Sequence, residues 1–201
     1  MNFFKDLKHL AKRSSPLKRK VTNASLKAYL TKSKFQVLEP AGATYSPFVA
    51  GLISPTVYIS NALNFSKREY EAVLAHEIEH IRYKDNLMRL ILTTIQTLFF
   101  WIPTNWLANL IEEGQEIGCD LTCKKYGIDP IYLASAISKS AHRFVFSSPL
   151  VHSLTKRSLY KRLNALLHPP HIKYAKTRFV CCLLGTGMAI SAIFLGKFWI
   201  F

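Results

Sequence analysis

The chain has 201 residues, of which 49% are hydrophobic and only 19% charged, with a formal net charge of +15. This length suits one domain of ordinary size with an appendage, and it excludes two large domains. This apolar composition suggests a membrane segment. The positive charge suits binding to either anionic lipid headgroups or nucleic acid.

Residues 1–34 form a basic segment. Its start, MNFFKDLKHLAKR, places Phe3, Phe4 and Leu7 at helical spacing with the lysines mainly on other faces. This pattern is typical of a helix that lies on an anionic membrane surface, and a disordered basic tail is the alternative. A second helix is predicted from about residue 24 to residue 32.

Residues 35–60 consist of short runs rich in β-branched and aromatic side chains, which are broken by glycine and proline. Such runs predict strands and turns. Pro47 and Pro55 indicate a small sheet with an exposed edge, because proline cannot donate a hydrogen bond to a neighbouring strand.

From Ser66 onward the pattern is helical, with Leu74 and Ile78 on the apolar stripe of the first helix. Residues 90–111 then form a stretch of 22 residues without a charge, long enough to cross a membrane. Its polar residues, and Pro103 between two tryptophans, instead favour two helices that meet at a turn near IPTN. This turn would dip into the bilayer surface or pack against a terminal helix.

The C-terminal region contains a longer apolar run. Residues 179–196, FVCCLLGTGMAISAIFLG, carry no charge. At about 1.5 Å per residue, this run nearly crosses a hydrocarbon core of about 30 Å, so we predict a membrane helix over residues 179–201. The basic flank before it places the body of the protein in the cytoplasm, and the four cysteines agree because no disulfide framework is evident.

The helix that begins near Ser66 contains the pattern H-E-x-x-H. His76 and His80 project from the same helix face, so both imidazoles can reach one zinc ion at about 2.0–2.1 Å. Glu77 lies beside the first histidine and can act as the general base on a zinc-activated water. Two histidines on a solvated helix face are the alternative interpretation.

A third ligand is available in EEGQEIGCD, at residues 112–120. Glu116 can complete a His-His-Glu site, and Asp120 can accept a hydrogen bond from a ligand imidazole. Glu113 competes for the ligand role, but the i,i+4 relation to Asp120 favours Glu116. The run TVYIS, at residues 56–60, is expected to be an edge strand that holds an extended substrate.

Other polar side chains are harder to assign. An oxyanion-stabilising donor is expected near the zinc, and no spacing rule selects among five chemically able residues: Tyr126, His142, His152, Arg157 and Arg162. Glu79 and Glu112 are predicted to be solvated charges on helix faces.

Four blocks of the sequence resemble the membrane-bound antirepressor metallopeptidases of the BlaR/MecR beta-lactam sensor family. The blocks are SPFVAGLISPTVYIS, VLAHEIEHIRYKDNLMRLI, FFWIPTNWLANLIEEGQEIGCD and KRSLYKRLNALL. The resemblance runs from about residue 20 to the end. It implies a gluzincin-type domain on the cytoplasmic face of the membrane, whose task is limited proteolysis of a protein.

The resemblance also implies roles for single residues. His76, His80 and Glu116 would be the zinc ligands, Glu77 the general base, and Asp120 a partner of the ligands. The chain departs from the family's plan because it shows no membrane helices before the zinc domain and no sensor after it. Antibiotic sensing is therefore not expected: either another membrane protein supplies the signal, or the chain is a truncated or constitutive form. Asp85, finally, matches the aspartate that follows the family's motif.

The resulting prediction is a mainly helical α+β fold. It comprises a basic segment at residues 1–34, a zinc peptidase domain with a small edge-exposed sheet at residues 35–178, and a membrane helix at residues 179–201. The expected function is zinc-dependent (Zn2+) cleavage of a cytoplasmic protein such as a transcriptional repressor. A broad-specificity housekeeping protease and a non-catalytic, tail-anchored basic adaptor are the alternatives. Expected partners are the substrate, membrane lipid and a separate membrane sensor, without direct nucleic-acid binding.

Overall fold

A computed structural model describes residues 14–16, 21–32, 35–40, 46–145 and 152–169 of the chain. Within these ranges the chain forms a four-stranded sheet and six α-helices, which confirms the mainly helical α+β class. The N-terminal surface helix and the membrane helix predicted from the sequence lie outside the described residues.

The strands form one sheet in the order β1-β2-β4-β3. Their limits are β1, Ser14–Pro16; β2, Gln36–Pro40; β3, Phe48–Ala50; and β4, Thr56–Tyr58. Strands β2 and β4 are parallel, and the other two pairs are antiparallel.

The prediction that TVYIS forms an edge strand is wrong. Val57 of β4 lies opposite Val37 on one side and Val49 on the other, so β4 is a central strand. The two edges of the sheet are β1 and β3, and the chain turns back sharply between β3 and β4. Gly51 permits this turn: its φ is +96°, and a Cβ atom there would lie 2.8 Å from the carbonyl oxygen of Ser54.

The helices account for most of the described chain. Their limits are α1, Ala24–Lys32; α2, Lys67–Tyr83; α3, Asp85–Leu98; α4, Asn105–Thr122; α5, Pro130–Val145; and α6, His152–Leu167. Helix α1 has the predicted limits, and residues 90–111 are divided between α3 and α4, as predicted. Within the described ranges, no helix combines the length and apolar character that crossing a membrane requires.

Helix α2 is the central helix of the domain. Ser66 and Glu69 form a reciprocal capping box at its start, and Lys84 ends it in the left-handed conformation at φ 56°. It packs against α4 and α5 and against the sheet. The core lies between these elements, and its most deeply buried apolar side chains are Leu26, Val57, Ile59, Leu74, Ile78 and Leu133.

Glu79 was expected to be a solvated charge, and this prediction is wrong. Its side chain is fully buried and accepts a hydrogen bond from the Tyr126 hydroxyl at 2.8 Å. Arg82 and Lys125 balance its charge. Because Tyr126 and Lys125 follow Glu79 by more than forty positions in the sequence, the burial of Glu79 depends on tertiary packing.

Candidate metal centre

Helix α2 places His76, Glu77 and His80 beside a cavity of about 510 Å³. His76 and Glu77 are only 6% and 5% exposed. The Nε2 atoms of the two histidines lie 3.0 Å apart, because residues four apart on a helix project from the same face. The two imidazoles therefore converge on one point at the cavity wall.

Glu116 reaches the same point from α4. Its carboxylate oxygens lie 3.5 Å from Nε2 of His76 and 3.6 Å from Nε2 of His80. In a tetrahedral zinc site with bonds of about 2.0–2.2 Å, the ligand atoms are about 3.3–3.6 Å apart. Both Glu116 distances fall in this range, and the 3.0 Å between the two Nε2 atoms lies slightly below it. A small separation of the two imidazoles would bring the three side chains onto one zinc ion, and their ligand atoms already lie within 4.8 Å of one another.

Each histidine also contacts a carboxylate through its other ring nitrogen. Nδ1 of His76 lies 2.9 Å from Asp120, and Nδ1 of His80 lies 2.8 Å from Asp85. A carboxylate at Nδ1 holds the proton there and leaves Nε2 free to coordinate a metal. The contact of Asp120 with a ligand imidazole was predicted from the sequence. The contact of Asp85 with His80 was not, because only its position after the motif had been noted.

The site is strongly negative around His76. Burial disfavours the charged imidazolium, but the contacts with Asp120 and Glu116 outweigh burial and raise the pKa of His76 to about 10. The carboxylates that favour this positive charge would favour a zinc ion in its place, and zinc binding would release the Nε2 proton, because a histidine ligand must be neutral.

Arg162 of α6 ties the carboxylates together. Its guanidinium donates two hydrogen bonds of 2.8 Å to Asp120, and another of its nitrogens lies 2.9 Å from Glu116. Burial opposes ionisation of Asp120, yet the charge of Arg162 and the contact with His76 keep its pKa below the ordinary value. Arg162 is therefore a positioning residue for the site.

Arg162 was one of five candidate oxyanion donors, and the structure separates most of them. Tyr126 bonds to Glu79 in the core instead. His142 is exposed and is absent from the cavity lining. The side chains of His152 and Arg157 lie outside the described part of the chain. Arg162 stands out because α6 packs beside α4 and brings its guanidinium to Asp120 and Glu116. The sequence alone does not show how these two helices pack.

The structure also distinguishes Glu116 from its competitor. Glu113 forms an ion pair with Lys161 of α6 at 2.6 Å and does not approach the histidines. Glu112 pairs with Arg89 at 3.4 Å and is half-buried. Of the three glutamates on this part of α4, Glu116 alone borders the cavity.

Cys119 is a residue of the site that the sequence did not reveal. Its buried Sγ lies 3.4 Å from Nδ1 of His80 and 3.6 Å from Asp85. Adjacent residues on a helix point about 100° apart, so Cys119 meets His80 while Asp120 meets His76. The pair supports both histidines from one turn of α4.

The edge strand β3 borders the cavity as well, because Phe48 and Val49 line it. Asn86 of α3 donates hydrogen bonds of 3.2 Å to the carbonyl oxygens of Val49 and Gly51. The strand is thereby fixed to the helix that carries Asp85.

The chain is similar to known proteins over most of its length. Residues 3–166 match the family model described as BlaR1 peptidase M56. A segment of 82 residues, 40% of the chain, is 30% identical to the protein named "Regulatory protein BlaR1" from Bacillus licheniformis, and it covers 14% of that relative. No solved structure gives a significant match.

Proposed function

The chain belongs to the BlaR1 peptidase M56 family, and on this premise we propose that it is a membrane-anchored, zinc-dependent endopeptidase of the gluzincin type. One observation carries the proposal. The ligand atoms of His76, His80 and Glu116 converge within 4.8 Å beside the buried Glu77, at the wall of an open cavity.

Zinc would be held by His76, His80 and Glu116, and when bound it supplies a Lewis acid that activates water and polarises the scissile carbonyl. Glu77 takes the proton of the attacking water and delivers it to the leaving amine. Burial is the main reason why the pKa of Glu77 is raised, and a raised pKa makes its carboxylate a better base.

The surrounding carboxylates act on the ligands and not on the substrate. Asp120 and Asp85 fix the tautomer of the two imidazoles. Arg162 holds Asp120 and Glu116 in one arrangement. This preorganisation matters because a catalytic geometry must be kept within about 0.5 Å.

The substrate is proposed to be a cytoplasmic protein that presents an extended segment. Strand β3 is the sheet edge beside the cavity, and sheet edges bind extended peptides through main-chain hydrogen bonds. Asn86 already donates to Val49 and Gly51, so an incoming peptide would use the other edge groups or displace this amide.

A regulatory substrate such as a transcriptional repressor is supported by the name of the relative, "Regulatory protein BlaR1". The chain covers only 14% of that relative. We propose that a separate membrane sensor protein supplies the signal that activates cleavage. A panel of a folded repressor and several unfolded proteins separates this role from housekeeping proteolysis. Cleavage of one protein supports regulation, and cleavage of all unfolded proteins contradicts it.

The first test is metal content. Mass spectrometry of detergent-purified protein is expected to find about one zinc per chain, and zinc should be lost in His80→Ala and Glu116→Ala. Glu113→Ala is the matched control, because Glu113 lies on the same helix but bonds to Lys161, and it should keep zinc. Well-folded wild type without zinc would overturn the proposal and leave the basic adaptor as the better account.

A further inference from the structure

Helices α3 and α4 form a hairpin whose outer part is apolar and exposed. We define the hairpin tip as residues 90–111, which is all described. No residue from 86 to 114 is buried. Phe100 is 80% and Trp101 is 64% exposed. Five other large apolar side chains of the tip are 41–61% exposed: Leu90, Ile91, Leu98, Trp106 and Leu110. A continuous exposed apolar surface of this kind indicates a binding partner.

Charges are confined to the base of the hairpin. The tip contains none in 22 residues, and directly before and after it Arg89 and Glu112 form an ion pair at 3.4 Å. A protein partner usually offers both charged and apolar contacts, whereas a bilayer excludes charge from its interior. The boundary at Arg89 and Glu112 therefore resembles a boundary between headgroups and hydrocarbon.

Several polar side chains of the tip form hydrogen bonds within the hairpin, although water could reach them. The hydroxyls of Thr93, Thr94 and Thr97 each donate to the backbone carbonyl four residues earlier, at 2.8–2.9 Å. The amide of Gln96 donates to Asn105 at 3.1 Å, which joins the two helices. Exposed hydroxyls in water gain little from such bonds, but in lipid each polar group needs an internal partner.

The length of the tip fits one leaflet. Residues 90–98 of α3 rise by about 13 Å, less than half of a hydrocarbon core of about 30 Å. The turn at the far end of the tip carries Phe100 and Trp101 and no charge, as a position in hydrocarbon requires. In addition, only nine residues lie between Pro169 and the predicted membrane run that begins at residue 179. The ten steps from Pro169 to residue 179 span at most about 36 Å, so that membrane would lie close to the domain.

We propose that the hairpin tip inserts into one leaflet of a lipid bilayer, with the Arg89–Glu112 pair at the level of the headgroups. Glu116 follows Glu112 by one helical turn, which is about 6 Å along α4. The cavity and its metal ligands therefore face the narrow zone next to the membrane surface. The proposal concerns the placement of the domain, and it holds whether or not the metal centre is catalytic.

Depth-dependent fluorescence quenching tests the insertion. The chain has three tryptophans, so Trp106→Phe with Trp199→Phe leaves Trp101 as the reporter in the full chain. The protein is reconstituted into vesicles of phosphatidylcholine and phosphatidylglycerol that carry bromine near the headgroup end or near the methyl end of the acyl chains. We expect blue-shifted Trp101 emission and stronger quenching by the bromines near the methyl end, because Trp101 lies at the far end of the tip, about 13 Å beyond the Arg89–Glu112 pair.

The matched reporter is Ile131→Trp in a chain with all three native tryptophans changed to Phe. Ile131 is also exposed, but it lies beside Tyr132, which contacts Arg68 at the opposite end of α2 from the hairpin. It should remain unquenched. Trp101 that is as unquenched as this control would overturn the proposal and assign the tip to another occupant, such as a second copy of the chain. Quenching of Trp101 mainly by the shallow bromines would show that the Arg89–Glu112 pair does not lie at the headgroups, and it would also overturn the proposal.

A charge substitution gives an independent readout. In the chain that keeps Trp106 as its sole tryptophan, Phe100→Asp should abolish most of the quenching, because it places a carboxylate at the exposed tip. Ile131→Asp in the same chain is the control and should leave quenching unchanged. Equal quenching in all three proteins would contradict insertion of the tip. Far-UV circular dichroism checks that each variant keeps its helices.

Discussion

The two ends of helix α4 reverse the usual distribution of side chains. Its first half carries Trp106 and Leu110 on the outside, and its second half buries Asp120 and half-buries Glu116 among other charged groups. Buried charges persist only where partners compensate them, and exposed apolar surface persists where something else covers it. The charges at one end of the helix are therefore compensated within the chain. The apolar surface at the other end is covered, on our proposal, by a lipid bilayer.

The largest effect is expected on the cleavage rate when the proposed general base beside the metal ligands is replaced. Glu77→Gln removes the base but leaves the three ligand atoms, so zinc should stay bound while the cleavage rate falls by about 10²–10⁴-fold. Product formation per bound zinc, measured by gel electrophoresis and mass spectrometry, is the readout. Wild-type cleavage in this variant would exclude Glu77 as the base.

Arg162 tests how far the buried charges depend on one another. Arg162→Met leaves Asp120 and Glu116 without their cation, and breaking a buried ion pair typically costs about 3–5 kcal/mol. We expect the free energy of unfolding, measured by urea titration in detergent, to fall by about 3 kcal/mol. Arg162→Lys keeps the charge without the forked geometry and should lose less. Equal stability of wild type and the Met variant would show that the cluster is held otherwise.

The sequence predicted the features that local spacing controls. Helix α1 and the division of residues 90–111 follow from local signals, and a single helix turn aligns His76 with His80. The failures are all non-local. TVYIS was predicted to be an edge strand, but β3 pairs with its outer side, and the sequence does not show this pairing. Glu79 was predicted to be solvated because its partner Tyr126 is distant in the sequence.

A smaller effect, on zinc affinity, is expected from Asp85, which orients His80 but does not itself bind the metal. Asp85→Ala keeps all three proposed ligands but leaves Nδ1 of His80 without this carboxylate. Loss of such a partner typically weakens metal binding by about 10–100-fold, which a competition titration with a zinc chelator measures. Asp129→Ala, at an exposed position before α5, is the control and should bind zinc like wild type. Unchanged affinity in Asp85→Ala would rule out this role.

The smallest effect comes from an acid on α2 that lies outside the metal centre. Burial opposes ionisation of Glu69, but hydrogen bonds from Lys139, Ser135 and Ser66 outweigh it and lower its pKa to about 2, against an ordinary value of 4.5. Because the folded pKa lies below the unfolded one, Glu69 stabilises the fold above about pH 4.5, and this contribution is lost as the pH falls toward 2. Glu69→Gln should therefore lower the free energy of unfolding by about 1–2 kcal/mol at neutral pH. Urea unfolding at a series of pH values should show the two proteins converging in acid; a difference that stays constant down to pH 2 would show that ionised Glu69 contributes nothing.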